Sequence, residues 1–374
     1  MFARPKLPLH DEASLACMTK APSSLFRLLT VPAIAWGIYF LKHSFDWKPL
    51  LMLAVGALLV VVMDAVHHAE VLSRRIGEPF GALLLAVAVT MIEVSVIISF
   101  MLNGSTDSTF LARDTVFAAV MIILTGMTGL TLFIAGLKYR EPEFSSHGVI
   151  SVLTVLVAIS VMALILPNYT EAQNGPFYSQ NQLFFIATIT LVLYGSFLFV
   201  QNFRHREDYV GQGRQDEAPV RPGKRETIIS AILLPVALFA VVMLAESMAH
   251  DLEHFIESLG APMALSGVII ALVVLLPEGI SAVRAAANNQ MQKSLNLSLG
   301  SALASISLTI PMISFFALFT GRPVAFGINT ESSVIFLMAL FVIILALSKG
   351  KTNILQGMVL LVLFVVYLFL TMVP

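Results

Sequence analysis

The chain is a succession of long apolar runs separated by short polar segments, and the runs do not alternate polar and apolar residues at period two. A helix crossing a bilayer needs roughly 20 predominantly apolar residues. Lipid accepts only helices or closed barrels, because every backbone N–H and C=O must find a partner inside the protein. Continuous runs of this length predict helices at 24–42, 49–68, 80–102, 114–137, 147–166, 181–201, 228–247, 263–285, 295–319, 331–348 and 354–373. The expected fold class is an all-α polytopic membrane protein with 11 transmembrane helices. The first run is followed by Lys42-His43-Ser44 and no small-residue cleavage site, so it reads as a retained span and not a removed signal peptide. The one long polar stretch, 202–227, is rich in Arg, Asp, Glu, Gly and Gln. It is too polar to pack a core and reads as a flexible linker.

Composition changes the picture only by naming the solvent. Of 374 residues, 57% are hydrophobic and 12% charged, about half the charged share of an ordinary soluble domain. So little charge cannot cover a water-facing surface, and the lipid bilayer is the implied partner. A net charge of −1 argues against nucleic acid. The single cysteine, Cys17, excludes an intramolecular disulfide, Cys-rich metal and redox motifs are absent, and no resident cofactor is expected. Orientation follows from the basic residues. With the N-terminus in the cytoplasm, all of the 22 lysines and arginines fall inside except Lys42, Lys48, Arg113 and Arg322. The C-terminus then lies outside.

The two halves repeat. His67, Glu70, Gly77 and Pro79 recur as His250, Glu253, Gly260 and Pro262, each 183 positions later. Glu93 follows its proline by 14 residues and Glu278 by 16. Five spans is an odd number, so the halves are inverted, with His67 and Glu70 inside and His250 and Glu253 outside. Inverted repeats around a midplane site are a recurring transporter architecture. The predicted organisation is a tail plus one extra helix (1–48), a first five-helix repeat (49–201), a cytoplasmic linker (202–227) and a second five-helix repeat (228–374).

Each half carries one glutamate deep in an apolar run. Glu93 lies in LAVAVTMIEVSVIISFML, with no other charge between Glu78 and Asp107. Glu278 lies in VIIALVVLLPEGISAV, between Pro277 and Gly279. An ionised carboxylate at this depth is costly unless it is paired, solvated or bound to a cation. Proline removes a backbone donor, so the helix is expected to break at Pro277 and expose carbonyl oxygens that suit a hard cation. The plainer reading is that each glutamate is a protonated or hydrogen-bonded structural link. Thr90 and Ser99 offer oxygen ligands beside Glu93, whereas Ser95, two residues away, points elsewhere on the helix. In the run after Glu278, Asn296, Ser298, Ser301, Ser305 and Thr309 line one side, with Gly300 expected to permit close packing. Such small residues serve equally as helix–helix packing. The corresponding run in the first half offers Asp114, Thr115, Thr125 and Thr128, and Asp114 is either a third acidic ligand or an interfacial N-cap.

Asp64, His67, His68 and Glu70 gather near the cytoplasmic face, and Glu246, His250, Asp251, Glu253 and His254 mirror them outside. These groups either give cations and protons access, since histidine titrates near neutrality, or are solvated helix ends. A zinc enzyme is disfavoured: there is no H-E-x-x-H, only His250 and His254 at i, i+4. Two carboxylates in one poorly solvated site are neutralised by a cation or by protons, and that competition is the physical basis of antiport. A passive cation channel is the alternative from another class, and a pH gradient driving uphill cation movement separates the two. An intramembrane hydrolase fits poorly, because the histidine groups lie at opposite faces.

HHAEVLSRRIGEPFGALLLAVAVTMIEVS and LLPEGISAVRAAANNQMQKSLNLSLGSALASISLTIP, on a plan of one helix plus five plus five, resemble the cation/calcium exchanger superfamily, and within it calcium/proton antiporters of the bacterial ChaA type. The resemblance implies a bacterial inner-membrane antiporter. Cytoplasmic Ca²⁺ would exchange for external H⁺ by alternating access, with Glu93 and Glu278 binding cation or proton and Ser301 and its neighbours supporting them. The Gly-Asn-Ala-x-Glu pattern of the broader cation/proton exchangers is replaced here by VTMIE and VLLPE. The asparagine amide beside the site is therefore missing, and Na⁺ or K⁺ against protons remains an open alternative. The linker also lacks the excess of acidic residues found in many relatives.

Overall fold

A computed structural model describes residues 36–37, 49–77, 80–103, 109–204 and 222–373. Among the described residues ten helices are long and apolar enough to cross a membrane. They are α1 (Pro49–Ile76), α2 (Phe80–Asn103), α3 (Leu111–Tyr139), α4 (Ser146–Tyr169) and α5 (Gln180–Arg204). After the linker come α6 (Lys224–Ser258), α7 (Ala264–Ala287), α8 (Met291–Thr320), α9 (Thr330–Leu347) and α10 (Ile354–Met372). The predicted first span, 24–42, lies outside the described residues apart from Trp36 and Gly37. The Trp36 ring rests against Phe239 of α6, centroids 5.5 Å apart. Most of the predicted linker, 205–221, also lies outside them.

Local signals set the helix ends. Ser179 opens α5 and Asn353 opens α10 with reciprocal capping boxes, which satisfy amides that have no intrahelical acceptor. Gly77 and Gly260, the two glycines of the repeat, both take left-handed backbone, at φ 78° and 66°. Glycine is the residue that reaches this conformation without a Cβ penalty. Two helices outrun the prediction. Helix α1 continues past 68 to Ile76 and α6 past 247 to Ser258, so both histidine groups sit on helical turns. Hydropathy marks where a helix leaves the apolar layer, whereas i, i+4 pairs such as Glu70–Arg74 (2.9 Å) carry it further.

The expected break at Pro277 does not occur: α7 runs unbroken through it. The missing amide costs one bond, to the carbonyl four residues back, and the helix continues on its remaining bonds. Irregular turns occur elsewhere, in α4 (Val161–Ile165), at the end of α5 (Val200–Arg204) and, deepest in the core, in α3, which contains a π-helical turn at Ile122–Met127. There Thr125 Oγ1 donates to the Met121 carbonyl (2.5 Å) and Thr128 Oγ1 to that of Ile123 (2.8 Å). Gly300 does not bring helices together either; a Cβ there would meet nothing within 4 Å. Close packing lies elsewhere, where Gly357 of α10 meets the α3 backbone at Phe133 and Gly129.

Buried apolar side chains form two clusters. One spans α3, α4, α5, α8, α9 and α10 with one face each of α2 and α7. The other joins α1 to α6 and takes in the opposite faces of α2 (Val89, Ile92, Val96, Phe100) and α7 (Ile270, Val273, Val274). Helices α2 and α7 are therefore the seam between two packed bodies. Loop contacts agree with the predicted alternation of sides. Arg75 reaches the Pro222 carbonyl, Lys138 and Tyr139 reach that of Ala287, and Glu143 pairs with Lys351. At the opposite end Arg322 binds the Met101 carbonyl and Arg113 that of Gly327.

Candidate functional site

The two glutamates arrive from the two seam helices, Glu93 from α2 and Glu278 from α7, within electrostatic reach of one another. Glu93 is 2% exposed and Glu278 is half-buried. A single helix, α8, touches both. Ser301 Oγ donates to Glu278 Oε2 at 2.9 Å. Ser305 Oγ lies 2.8 Å from Oε1 and 2.6 Å from Oε2 of Glu93, and its one proton serves one oxygen at a time. The two serines are four residues apart and so share a helix face. Thr309, the next residue on that face, is directed towards Glu93. Among the described residues its buried hydroxyl has no partner at hydrogen-bond geometry.

The stripe that the sequence marks as polar is thus the one that meets the carboxylates, although small polar stripes also serve packing alone. Glu93 lies in the first half of the chain and its serine in the second, so contact order along the chain gave no hint of that pairing. The halves are unequal: Thr125 and Thr128 of α3, in the matching run, spend their hydroxyls on their own helix. The π-turn nevertheless comes beside the site, with Met127 against Gly279.

The other candidates divide. Thr90 is buried and bonds the Ala86 carbonyl of its own helix (2.9 Å). Ser99 donates across to Val242 of α6 at 3.3 Å. Asn296 accepts from Gln292 (2.9 Å). Asp114 is no N-cap: Phe110 holds that position, and Asp114 pairs with Arg113 at 2.7 Å. In the histidine group of α1 His68 is fully buried, with Nδ1 3.1 Å from Ser230 Oγ of α6 and Nε2 3.6 Å from Asp64. His67 is exposed beside it, and Glu70 pairs with Arg74. Ser230 was not legible in the sequence, where it is one serine in an apolar run. In the group on α6 Glu253 is buried while His250 and His254 are exposed. Among the described residues no three His, Cys, Asp or Glu side chains converge as a metal cluster.

Comparison with known proteins identifies the family. The chain is 43% identical to the putative ionic transporter y4hA of Sinorhizobium fredii over 87% of its length and 89% of the relative's. It is 33% identical to the sodium-potassium/proton antiporter ChaA of Escherichia coli, covering 91% and 94%. To the Ca²⁺/H⁺ antiporter ChaA of Bacillus subtilis it is 26% identical, covering 86% and 91%. The solved structure of native YfkE superposes with a TM-score of 0.74 at 20% identity, over 93% of this chain and all of that one. Ten apolar spans and relatives that are ionic transporters and antiporters make this an integral membrane protein of ion transport. The profile of the sodium/calcium exchanger protein family matches residues 47–203 and 229–373, and the chain belongs to that family.

Proposed function

We propose that the chain is a secondary active antiporter that exports cytoplasmic Ca²⁺ in exchange for external protons, with Glu93 and Glu278 as the shared cation- and proton-binding groups. The observation that carries this reading is the single face of α8 that hydrogen-bonds both carboxylates. Two carboxylates with hydroxyl oxygens around them make a hard-oxygen site. Their combined charge balances one Ca²⁺ or two protons, so the two ligands exclude each other. Alternating access is supported by the seam: α1 and α6 share a core that touches the remainder through α2 and α7, the helices that bear the glutamates. Rocking of one body against the other would change which side reaches the site, with the five-helix repeats of 49–201 and 228–374 as the inverted units. The basic-residue bias favours a cytoplasmic N-terminus in a bacterial inner membrane.

A second reading, Na⁺ or K⁺ against protons without Ca²⁺, is favoured by the 33% identity to a relative named for those ions. Everted vesicles loaded by an imposed pH gradient and offered Ca²⁺, Na⁺ and K⁺ side by side discriminate. Uphill uptake of Ca²⁺ is expected. Uptake of Na⁺ or K⁺ alone selects the second reading, and only downhill flux overturns antiport altogether.

The α8 hydroxyls give a graded test. A hydrogen bond to a charged group contributes about 1.5–3 kcal/mol, so Ser305→Ala is expected to weaken apparent cation affinity roughly 10- to 100-fold. Ser301→Ala acts in the same direction. Unchanged affinity in both variants, from the concentration dependence of flux in vesicles, would remove the serines from the site.

A further inference from the structure

The outer end of α6 carries a second, chemically different arrangement. His250 and His254, one helical turn apart and both exposed, turn their rings so that Nε2 faces Nε2 at 3.0 Å, centroids 4.3 Å apart and planes at 80°. Two imidazoles bound to one ion at 2.0–2.1 Å place their nitrogens about 2.9–3.4 Å apart, for angles between square and tetrahedral. The observed spacing lies in that range. The other nitrogen of His254, Nδ1, is 3.4 Å from Glu257 Oε2. A carboxylate at that nitrogen fixes the tautomer that leaves Nε2 as a lone pair, the outer-shell arrangement metal-bound histidines use.

We infer that His250 and His254 form a binding site for a borderline first-row divalent ion such as Zn²⁺ or Ni²⁺, with Glu257 orienting His254. The ion takes the place of the hydrogen between the facing nitrogens, each imidazole binding as its neutral Nδ1–H tautomer, and acid abolishes binding by protonating the Nε2 lone pairs. No third protein ligand closes the group among the described residues, so water completes the coordination and the ion exchanges readily. The site differs in kind from the central one: imidazole selects Zn²⁺, Ni²⁺ or Cu²⁺, whereas carboxylate and hydroxyl oxygens select hard cations. It lies in the last three turns of α6, which ends at Ser258, a helix of the smaller packed body.

The test is calorimetric titration of the purified full chain with Zn²⁺ alone. One site per chain is expected, absent in the His250→Ala/His254→Ala double variant and retained in Glu93→Gln. Glu257→Gln keeps the stoichiometry and weakens binding about 10-fold or more. Both histidines are exposed, so the variants should fold, which circular dichroism checks. Unaltered Zn²⁺ binding in the double variant overturns the inference, as does binding that disappears with Glu93→Gln.

Discussion

Glu93→Gln is expected to reduce proton-coupled cation exchange in everted vesicles to background while the purified chain folds and melts like the wild type, or slightly higher. Glutamine keeps the shape of the side chain and an acceptor oxygen for Ser305, so the contact between α2 and α8 survives. What disappears is the charge that, in the proposed exchange, would neutralise a cation and the oxygen that would take up a proton. A buried carboxylate is costly when unoccupied, which is why the neutral amide should not destabilise the fold. Glu278→Gln should behave alike, although its half-buried position leaves more room for water. Retained Ca²⁺-, Na⁺- or K⁺-dependent proton flux in either variant would sink the shared-site reading. Misfolding of both would instead mark the glutamates as structural links.

The second large effect is on stability. At Gly357 of α10 an added Cβ would stand 2.5 Å from the Phe133 nitrogen, 2.8 Å from its Cα and 2.9 Å from the Gly129 carbonyl oxygen. All three are backbone atoms that cannot rotate aside, so the two helices must part. Gly357→Ala is therefore expected to lose about 1–3 kcal/mol, the usual cost of overpacking, and to lower the melting temperature in detergent. Gly195 on α5 gives the opposite result, because a Cβ there meets nothing within 4 Å. Gly195→Ala gains roughly 0.5–1 kcal/mol from reduced chain entropy. Equal melting temperatures for the two variants would show that the close approach of α3 and α10 is not needed for stability.

The ten spans were legible because lipid leaves so few alternatives: an apolar run of sufficient length is a helix or nothing. The two glutamates were legible for the same reason, a charge being conspicuous where almost none is affordable. The depth of Pro277 suggested a break that neighbouring turns simply absorbed, because one missing amide does not end a helix whose other bonds and packing remain. The π-turn of α3 left no mark in IILTGM, where Thr125 Oγ1 bonds the Met121 carbonyl of its own helix. Asp114 could not be assigned from its neighbours alone. Arg113 was beside it in sequence, yet whether the two side chains meet depends on rotamers fixed by the Gly327 carbonyl far along the chain. The bond from Ser305 to Glu93 lies beyond sequence patterns altogether, as it joins the halves.

That bond and its neighbour have a mechanical implication. Residue spacing on an α-helix is 100° and 1.5 Å, so turning α8 by a single position would take Ser305 away from Glu93 and Ser301 away from Glu278 in the same movement. Rotation of α8 about its own axis, or a slide along it, therefore breaks both contacts together. In the proposed exchanger such a rotation would gear loading to unloading, the two acids acting as teeth meshed with one rod.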